Sequence, residues 1–392
     1  MNMQTRTYKF RIYPSRAQEK QMHQHLWMAK NLWNELLEHC KTTYNNFDYF
    51  PTKDALQLMA KNSGLFSQTQ QEVSHRVFNS IMRVFKLRKQ GIECGFPRFK
   101  STDRMKSLHY PQYDFGFSLD KKLKVTPFGE ISIKKHREIK GKIKTLTLKR
   151  ESSGKWFATF SVEQDKPIPK QNTGNRVGID LGLKDFAVFS DETIIKNPRH
   201  LKKHEEKLAR LQKRLSRNKK KSKNRKKAKL KVARLHEKVS NTRADFLHKL
   251  STRLINDYSL IALEKLAAKG MSNKDFGLGK SINDAGWNMF ANMIAYKAEE
   301  AGCKVVFVNP KDTTQECSKC HEIVKKDLTE RMHNCPFCGI SINRDLNAAR
   351  NILIKATVGT TGSNASGDGT IVSSMKEDAT RFIGGSSHSF GV

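Results

Sequence analysis

The chain begins with alternation. Over residues 4–13 (QTRTYKFRIY), Tyr8, Phe10 and Ile12 share one face and Thr7, Lys9 and Arg11 the other, the period-two pattern of a half-buried strand. Pro14 and Ser15 end that strand, and Ser15 is placed to cap a helix. Apolar positions then recur at helical spacing over 16–46: Met22, Leu26, Met28, Leu32 and Leu36. Two more helices are expected at about 53–61 and 68–90, the second carrying Val73, Val77, Ile81, Val84 and Phe85. It ends in Arg83, Lys86, Arg88 and Lys89, and Gly91 stops it.

From 106 to 165 the pattern returns to strands. The clearest pair is KTLTLKR (144–150) with KWFATFSVE (155–163), a hairpin around Ser153-Gly154. These strands predict a small β-barrel or sheet, completed by the N-terminal strand. DKPIPK and QNTGN (165–175) form a linker, and a new domain starts at about 175. Further on, Leu201, Leu208, Leu211, Leu215, Leu230, Val232 and Leu235 keep helical spacing, broken between Asn218 and Lys227. This predicts two helices joined by a turn and packed on the core through a narrow Leu stripe. The last 36 residues, 357–392, hold 7 Gly and 7 Ser and are expected to be disordered.

Charge adds a partner to this outline. The 392 residues hold 73 Lys and Arg against 38 Asp and Glu, a formal net charge of +35. Such an excess calls for a polyanion, because Lys and Arg neutralise phosphates and release counterions. It is densest in 201–238, where 18 cations face 3 Glu, too one-sided for i,i+4 pairing. A second candidate contact is GFPRFKS (95–101), where Arg98 and Lys100 interleave with Phe96 and Phe99. Stacking on bases with phosphate contact suits it; a surface turn with two buried Phe suits it equally. There is no run of 18 apolar residues and no apolar stretch at the N-terminus. The expectation is a cytoplasmic protein with no membrane partner.

Seven cysteines without a secretion signal read as reduced thiols. Four of them, Cys317-x2-Cys320-x14-Cys335-x2-Cys338, have the spacing of two knuckles closing a tetrahedron around structural Zn2+. Cys40, Cys94 and Cys303 read as small core or boundary residues. Three acids sit in unusual settings. Asp180 lies in the middle of an apolar strand, in RVGIDLGLKDFAVF (176–189). Glu264 ends another, LIALE (260–264). Asp345 opens a helix behind the second knuckle, in NRDLNAAR (343–350). An unpaired buried carboxylate costs on the order of 2–7 kcal/mol, and a bound cation removes that cost. Gly178 and Gly182, flanking Asp180, would let a metal or phosphate approach the backbone. Asp185 is better explained by a turn. Three carboxylates together need a divalent ion, and oxygen ligands suit Mg2+ or Mn2+. Two such ions would hydrolyse a phosphodiester, which makes a basic protein with this set a nuclease candidate.

Taken together, GIDLGLKDFAV, ALEKL, SINDAGW (281–287), the paired CxxC and NRDLNAARNIL resemble TnpB, the OrfB-type proteins of insertion sequences related to type V CRISPR nucleases. YKFRIYPSRAQ and GFPRFKS extend the resemblance over nearly the whole chain. It implies an α/β protein with an RNase H-like RuvC nuclease domain carrying an inserted zinc ribbon. It also implies an N-terminal β-barrel wedge with an inserted helical recognition lobe. The matching boundaries are 1–15 and 101–172 for the barrel, 16–100 for the lobe, and 173–312 for the nuclease domain with a basic hairpin at 196–250. The ribbon then covers 313–340 and the last nuclease helix 341–356. The implied catalytic and magnesium-binding acids are Asp180, Glu264 and Asp345. The implied partners are a guide RNA from the element end and double-stranded target DNA beside a short motif, with a monomer in the active complex.

Arg331 and Arg344 are candidates to approach the nucleic acid backbone, though a salt bridge to Asp345 would also account for Arg344. Lys219, Lys220 and Arg225 in the polycationic turn are further candidates. The first knuckle has His321 where a Gly commonly follows the second Cys; a solvated residue is expected there, not a fifth ligand. The expected activity is metal-dependent DNA cleavage by one site that cuts both strands. The alternatives are an RNA-directed DNA-binding regulator without cleavage, or a transposase joining strands itself. The three acids favour the first over the second, and the lack of an HUH histidine pair with a nucleophilic Tyr ranks the third last.

Overall fold

Strand β1, Met3–Tyr13, turns Tyr8, Phe10 and Ile12 inward and leaves Thr7 and Lys9 exposed, as the alternation predicts. The computed structural model describes residues 3–166, 174–266, 279–327 and 330–358, and the chain forms two compact units, Met1–Lys166 and Pro167–Val392. In the first unit α1, Arg16–Phe47, starts with a reciprocal cap: the Gln18 amide N–H donates to Ser15 Oγ, and the Ser15 N–H to Gln18 Oε1. Helices α2, Lys53–Ala60, and α3, Ser67–Lys89, follow. Strands β2 (Ser107–Tyr110), β3 (Phe117–Leu119), β4 (Leu123–Val125), β5 (Gly129–Lys134), β6 (Lys142–Arg150) and β7 (Trp156–Asp165) complete the unit.

The seven-stranded sheet has the order β2-β6-β7-β1-β5-β4-β3, so the N-terminal strand is central. It pairs antiparallel with β7 along its length and with β5 at its C-terminal end. The two edges approach each other through Tyr110 of β2. Its ring lies 6.4 Å from that of Phe117 on β3, and its hydroxyl donates to the Thr126 carbonyl at 2.9 Å. The result is a nearly closed sheet. Its inward residues, Phe10, Leu146, Trp156 and Phe160, share one hydrophobic core with Leu26, Leu36, Val77 and Ile81 of the helices.

In the second unit β8 (Asn175–Leu181), β9 (Asp185–Phe189) and β10 (Ile194–Lys196) form a meander, followed by α4 (Glu205–Arg217) and α5 (Lys223–Asp257). Then come β11 (Tyr258–Glu264), α6 (Gly279–Ala285), α7 (Trp287–Ala301) and β12 (Lys304–Val308). A small ladder, β13 (Met332–Asn334) with β14 (Ser341–Asn343), leads into α8 (Arg344–Val358). The main sheet runs β10-β9-β8-β11-β12, with β11 parallel to both β8 and β12. Alternation along β11 feeds both faces. Ile261 and Leu263 join Leu247 and Leu254 of α5 and Phe290 and Ile294 of α7, while Leu260 and Ala262 meet Ile352 and Ala356 of α8.

The Leu stripe has a different role from the one expected. No residue of α4 is buried, and the buried positions in the near half of α5 are Ala228, Leu235 and Val239. The stripe therefore seals α4 to α5 and does not reach the sheet core, which takes Leu247, Leu250, Leu254 and Ile255 from the far half of α5. The turn between the helices is also shorter than the break in spacing, Asn218–Ser222, because Ser222 caps α5 by accepting from the Arg225 N–H. Helix α8 reaches Val358, two residues into the segment expected to be disordered, and the rest of that segment lies outside the described residues. So does 167–173 of the expected linker.

Candidate carboxylate and zinc sites

Asp180 is the penultimate residue of β8, not its midpoint, because the strand ends at Leu181 and turns into β9. On the adjacent parallel strand Ile179 is paired with Leu263, so Asp180 and Glu264 stand one residue beyond a common register point. Asp345 comes from the first turn of α8. Asn343 caps that turn, its Oδ1 accepting from the N–H groups of Asp345 at 2.9 Å and Leu346 at 3.3 Å. The helix is pressed directly on β8 at Gly178, where an added Cβ would stand 2.1 Å from the Ala349 carbonyl oxygen.

Gly178 thus admits a helix, not a metal or phosphate, to the strand backbone. Gly182 serves the hairpin, since a Cβ there would meet the Asp185 carbonyl oxygen at 2.8 Å and its N–H donates to Phe186. Asp185 opens β9 and holds Lys196 of β10 at 3.0 Å.

Glu264 and Asp345 stand near enough to Asp180 for their charges to act on it. Burial pushes the Asp180 carboxyl up to about 8; the charges of Glu264 and Asp345 add to the rise, and Arg344 opposes it. Burial also raises Glu264, against the Thr313 hydroxyl and the charge of Lys355. Thr313 Oγ lies 2.5 Å from Glu264 Oε1 and 3.0 Å from the Pro310 carbonyl oxygen. Arg344 reaches Asp345 Oδ1 through Nε and Nη2, both at 3.2 Å, and Nη1 donates to the Glu330 carbonyl. Arg344 is therefore the salt-bridge partner of Asp345. Arg331 lies 3.9 Å from Asp345 Oδ2 with half of its side chain exposed. An acid kept protonated chiefly by burial, with two further acids adding to the rise, leaves a set of carboxylates short of positive charge, a donor chemistry that suits a divalent cation.

The four cysteine Sγ atoms lie within 4.8 Å of one another, the only such potential metal-holding cluster among the described residues. Cys317 and Cys338 are 3.6 Å apart, and Cys320 and Cys335 3.5 Å. Zn–S bonds of about 2.3 Å in a tetrahedron put sulfurs roughly 3.8 Å apart, so the quartet fits zinc. Each knuckle closes by the same bond: His321 N–H to the Cys317 carbonyl, Gly339 N–H to the Cys335 carbonyl. Both residues take left-handed φ, +65° at His321 and +72° at Gly339. The His321 ring turns away to Glu316 at 3.2 Å, as expected of a residue outside the tetrahedron.

Sequence reasoning passed over Thr313, Asn347 and Asn351, all buried. Asn347 brackets Cys317: its Oδ1 accepts from the Ser318 N–H at 2.9 Å and its Nδ2 donates to the Glu316 carbonyl at 2.7 Å. Asn351 Nδ2 donates to the carbonyls of Glu316 at 2.6 Å and Thr313 at 2.9 Å. The spacing Asn343, Asn347, Asn351 was the available signal, three amides on one helical stripe where apolar residues would pack.

The other candidate contacts divide. Lys219 and Lys220 are exposed at the α4–α5 turn. Arg225 folds back, Nη1 donating to the carbonyls of Leu215 at 2.9 Å and Asn218 at 3.1 Å, and so caps α4. Arg98 is exposed, while its carbonyl accepts from Trp33 Nε1. Lys100 is held against α1: Asn34 brackets its backbone, and its ammonium sits 3.1 Å from the Trp33 ring centroid. Burial, with Arg76 nearby, lowers Lys100 to about 7. Phe96 is half-buried and Phe99 exposed, so only one of the two aromatics joins the core. In SINDAGW, Asp284 accepts from Arg243 Nη2 at 2.7 Å and the Leu201 N–H at 2.9 Å, a structural joint between α5 and α6.

Comparison with known proteins agrees with this architecture. The chain matches the OrfB_IS605 family, described as "Probable transposase", over residues 159–275. It matches the Cas12f1-like TNB domain over 287–352 and a helix-turn-helix domain of OrfB_IS605 over 1–48, where the structure has β1 followed by α1. It is 32% identical to the "Putative RNA-guided DNA endonuclease InsQ" of Escherichia coli over 278 residues, covering 66% of this chain and 68% of that one. A protein of the same description from Streptomyces pristinaespiralis is 29% identical over 94% of this chain and 92% of its own. The fold is similar to that of a chain in a Cas12f1-sgRNA-target DNA complex, with a TM-score of 0.57 at 15% identity over 90% of this chain and 99% of that one. The chain belongs to the OrfB-type, TnpB-like family of insertion-sequence proteins.

Proposed function

We propose that the protein is an RNA-guided DNA endonuclease of a transposable element, cutting target DNA at the Asp180–Glu264–Asp345 site. The observation that carries the proposal is that the pairing of Ile179 with Leu263 sets Asp180 beside Glu264, while the helix that begins with Asp345 is pressed on the same strand at Gly178. The sheet order β10-β9-β8-β11-β12 supports an RNase H-like, RuvC-type domain, and the nearly closed N-terminal sheet supports a wedge barrel. The net charge of +35 and the relatives' descriptions support guide RNA and target DNA as partners. Among the described residues no helix is long and apolar enough to cross a membrane.

Asp180, Glu264 and Asp345 would hold Mg2+ or Mn2+, whose positive charge would activate water and stabilise the leaving oxygen of the phosphodiester. The chain supplies the rest. Asp180, half-buried, must give up its proton to join the site. Thr313 holds one oxygen of Glu264, and Arg344 holds Asp345 while remaining largely buried itself. Arg331, half exposed beside Asp345, is the cation available to a phosphate. The four thiolates would fill a zinc tetrahedron and leave no open position, which makes the role of that zinc structural.

Products with 5′-phosphate and 3′-hydroxyl ends are expected, with one site cutting both strands in turn. The N-terminal unit would read the short motif beside the target, and the active complex would hold one copy. The role in transposition would be indirect: cutting the emptied donor site so that repair restores the element. Guidance is tested by purifying the protein from its native locus and sequencing the RNA that accompanies it. A defined transcript from the element end is expected; RNA-free protein that cuts DNA would contradict it.

A further inference from the structure

Helix α8 does more than carry Asp345. Its next turn presents Asn347, whose side chain takes the N–H of Ser318 and gives to the carbonyl of Glu316, on either side of the zinc ligand Cys317. One turn later Asn351 gives to the same Glu316 carbonyl and to the carbonyl of Thr313. The Thr313 hydroxyl in turn stands 2.5 Å from Glu264. Asn347 is 0% exposed, Asn351 1% and Thr313 2%, so water is not available to replace these bonds. A continuous set of buried hydrogen bonds thus runs from the peptide around Cys317, through two amides of the Asp345 helix, to the oxygen of Glu264. Lys355, on the same helix, adds an ion pair to Glu316 at 3.2 Å.

We infer that Asn347, Asn351 and Thr313 are positioning residues through which the zinc knuckle sets the places of Glu264 and Asp345. The two metal sites are then coupled: order at the thiolate site raises the affinity of the carboxylate site for a divalent ion. The inference rests on the carboxylates being a divalent-metal site, as proposed above. Partners that orient metal ligands typically cost about 10- to 100-fold in metal affinity when removed, and Thr313 stands in that relation to Glu264. Zinc itself is held by the thiolates, so its retention is a separate quantity.

The test uses the full chain with whatever RNA accompanies it. Zinc content is measured by elemental analysis, and Mn2+ binding by the loss of the free-ion electron paramagnetic resonance signal. Thr313→Val removes the hydroxyl at nearly constant volume, Thr313→Ser keeps it, and Asn347→Ala opens the bracket around Cys317. The expected result is full zinc content in Thr313→Val with Mn2+ affinity lowered by about 10-fold or more, and restored in Thr313→Ser. Asn347→Ala is expected to weaken Mn2+ binding by a similar factor. Should Asn347→Ala lose zinc, the Thr313 pair decides alone, because Thr313 makes no bond to a cysteine. Wild-type Mn2+ affinity in Thr313→Val overturns the inference. Wild-type Mn2+ affinity in Asp180→Ala overturns the carboxylate site itself, which separates the two failures.

Discussion

Gly178 and Ala349 are in backbone contact across the strand–helix interface: a Cβ on Gly178 would come within 2.1 Å of the Ala349 carbonyl oxygen and 2.7 Å of the Leu353 nitrogen. This approach brings the N-terminus of α8, and Asp345 with it, to the end of β8 that carries Asp180.

Gly178→Ala should therefore displace α8. Overpacking against backbone costs about 1–3 kcal/mol or more. A lower melting temperature and loss of DNA cleavage are expected together, since the helix cannot shift without moving Asp345. A variant with wild-type melting and cleavage would show that the contact is not needed.

Asp180 gives a pH prediction for protein kept free of divalent ions other than its zinc. Its folded pKa, about 8, lies above the ordinary 3.8, so the folded state holds the proton longer than the unfolded state. Stability contributed by this group falls as pH rises from about 4 to 8 and is level above that, by at most ~1.4 kcal/mol per unit. Asp180→Asn escapes the penalty. Its stability advantage, measured by denaturant unfolding, should grow between pH 5 and 8 and shrink when Mg2+ is added to the wild type. A pH-independent difference would contradict the assigned shift.

The basic hairpin separates charges open to a partner from charges that hold the fold. Arg225 donates to two carbonyls at the end of α4, whereas Lys219 and Lys220 face solvent. Arg225→Ala should lower thermal stability by about 1 kcal/mol or more through unsatisfied carbonyls. The double variant Lys219→Ala, Lys220→Ala should leave melting unchanged and reduce the salt dependence of nucleic acid binding by about two ions. The opposite pattern would exchange the roles.

His321 occupies the left-handed position that Gly339 fills in the other knuckle. That conformation costs a non-glycine residue on the order of 1 kcal/mol. His321→Gly should hold zinc as tightly as the wild type or more so, measured by competition with a chromogenic chelator. Markedly weaker zinc binding would make His321 a ligand.

The fold was legible where local pattern decided it. The alternation of Tyr8, Phe10 and Ile12 announced β1, and Pro14-Ser15 announced the cap of α1. The cysteine quartet announced itself by spacing. The Leu stripe of 201–238 was misassigned because periodicity tells which face is covered but not by what; α4 covers α5. Gly178 was misread for the same reason, since a glycine signals close approach without naming the approaching group. Arg225 and Lys219 look alike in a basic run, and only the end of α4 distinguishes them. Thr313 escaped notice because its partner, Glu264, is 49 residues away in sequence.

Asp180, Glu264 and Asp345 are proposed as the cleaving site of an RNA-guided nuclease. The most direct measurement compares wild type and Asp180→Ala, each purified with its RNA, for binding and cleavage of matched duplex DNA in Mg2+. The variant is expected to retain RNA and bind the duplex like the wild type but cut neither strand. Cleavage by Asp180→Ala at the wild-type rate would contradict the proposal.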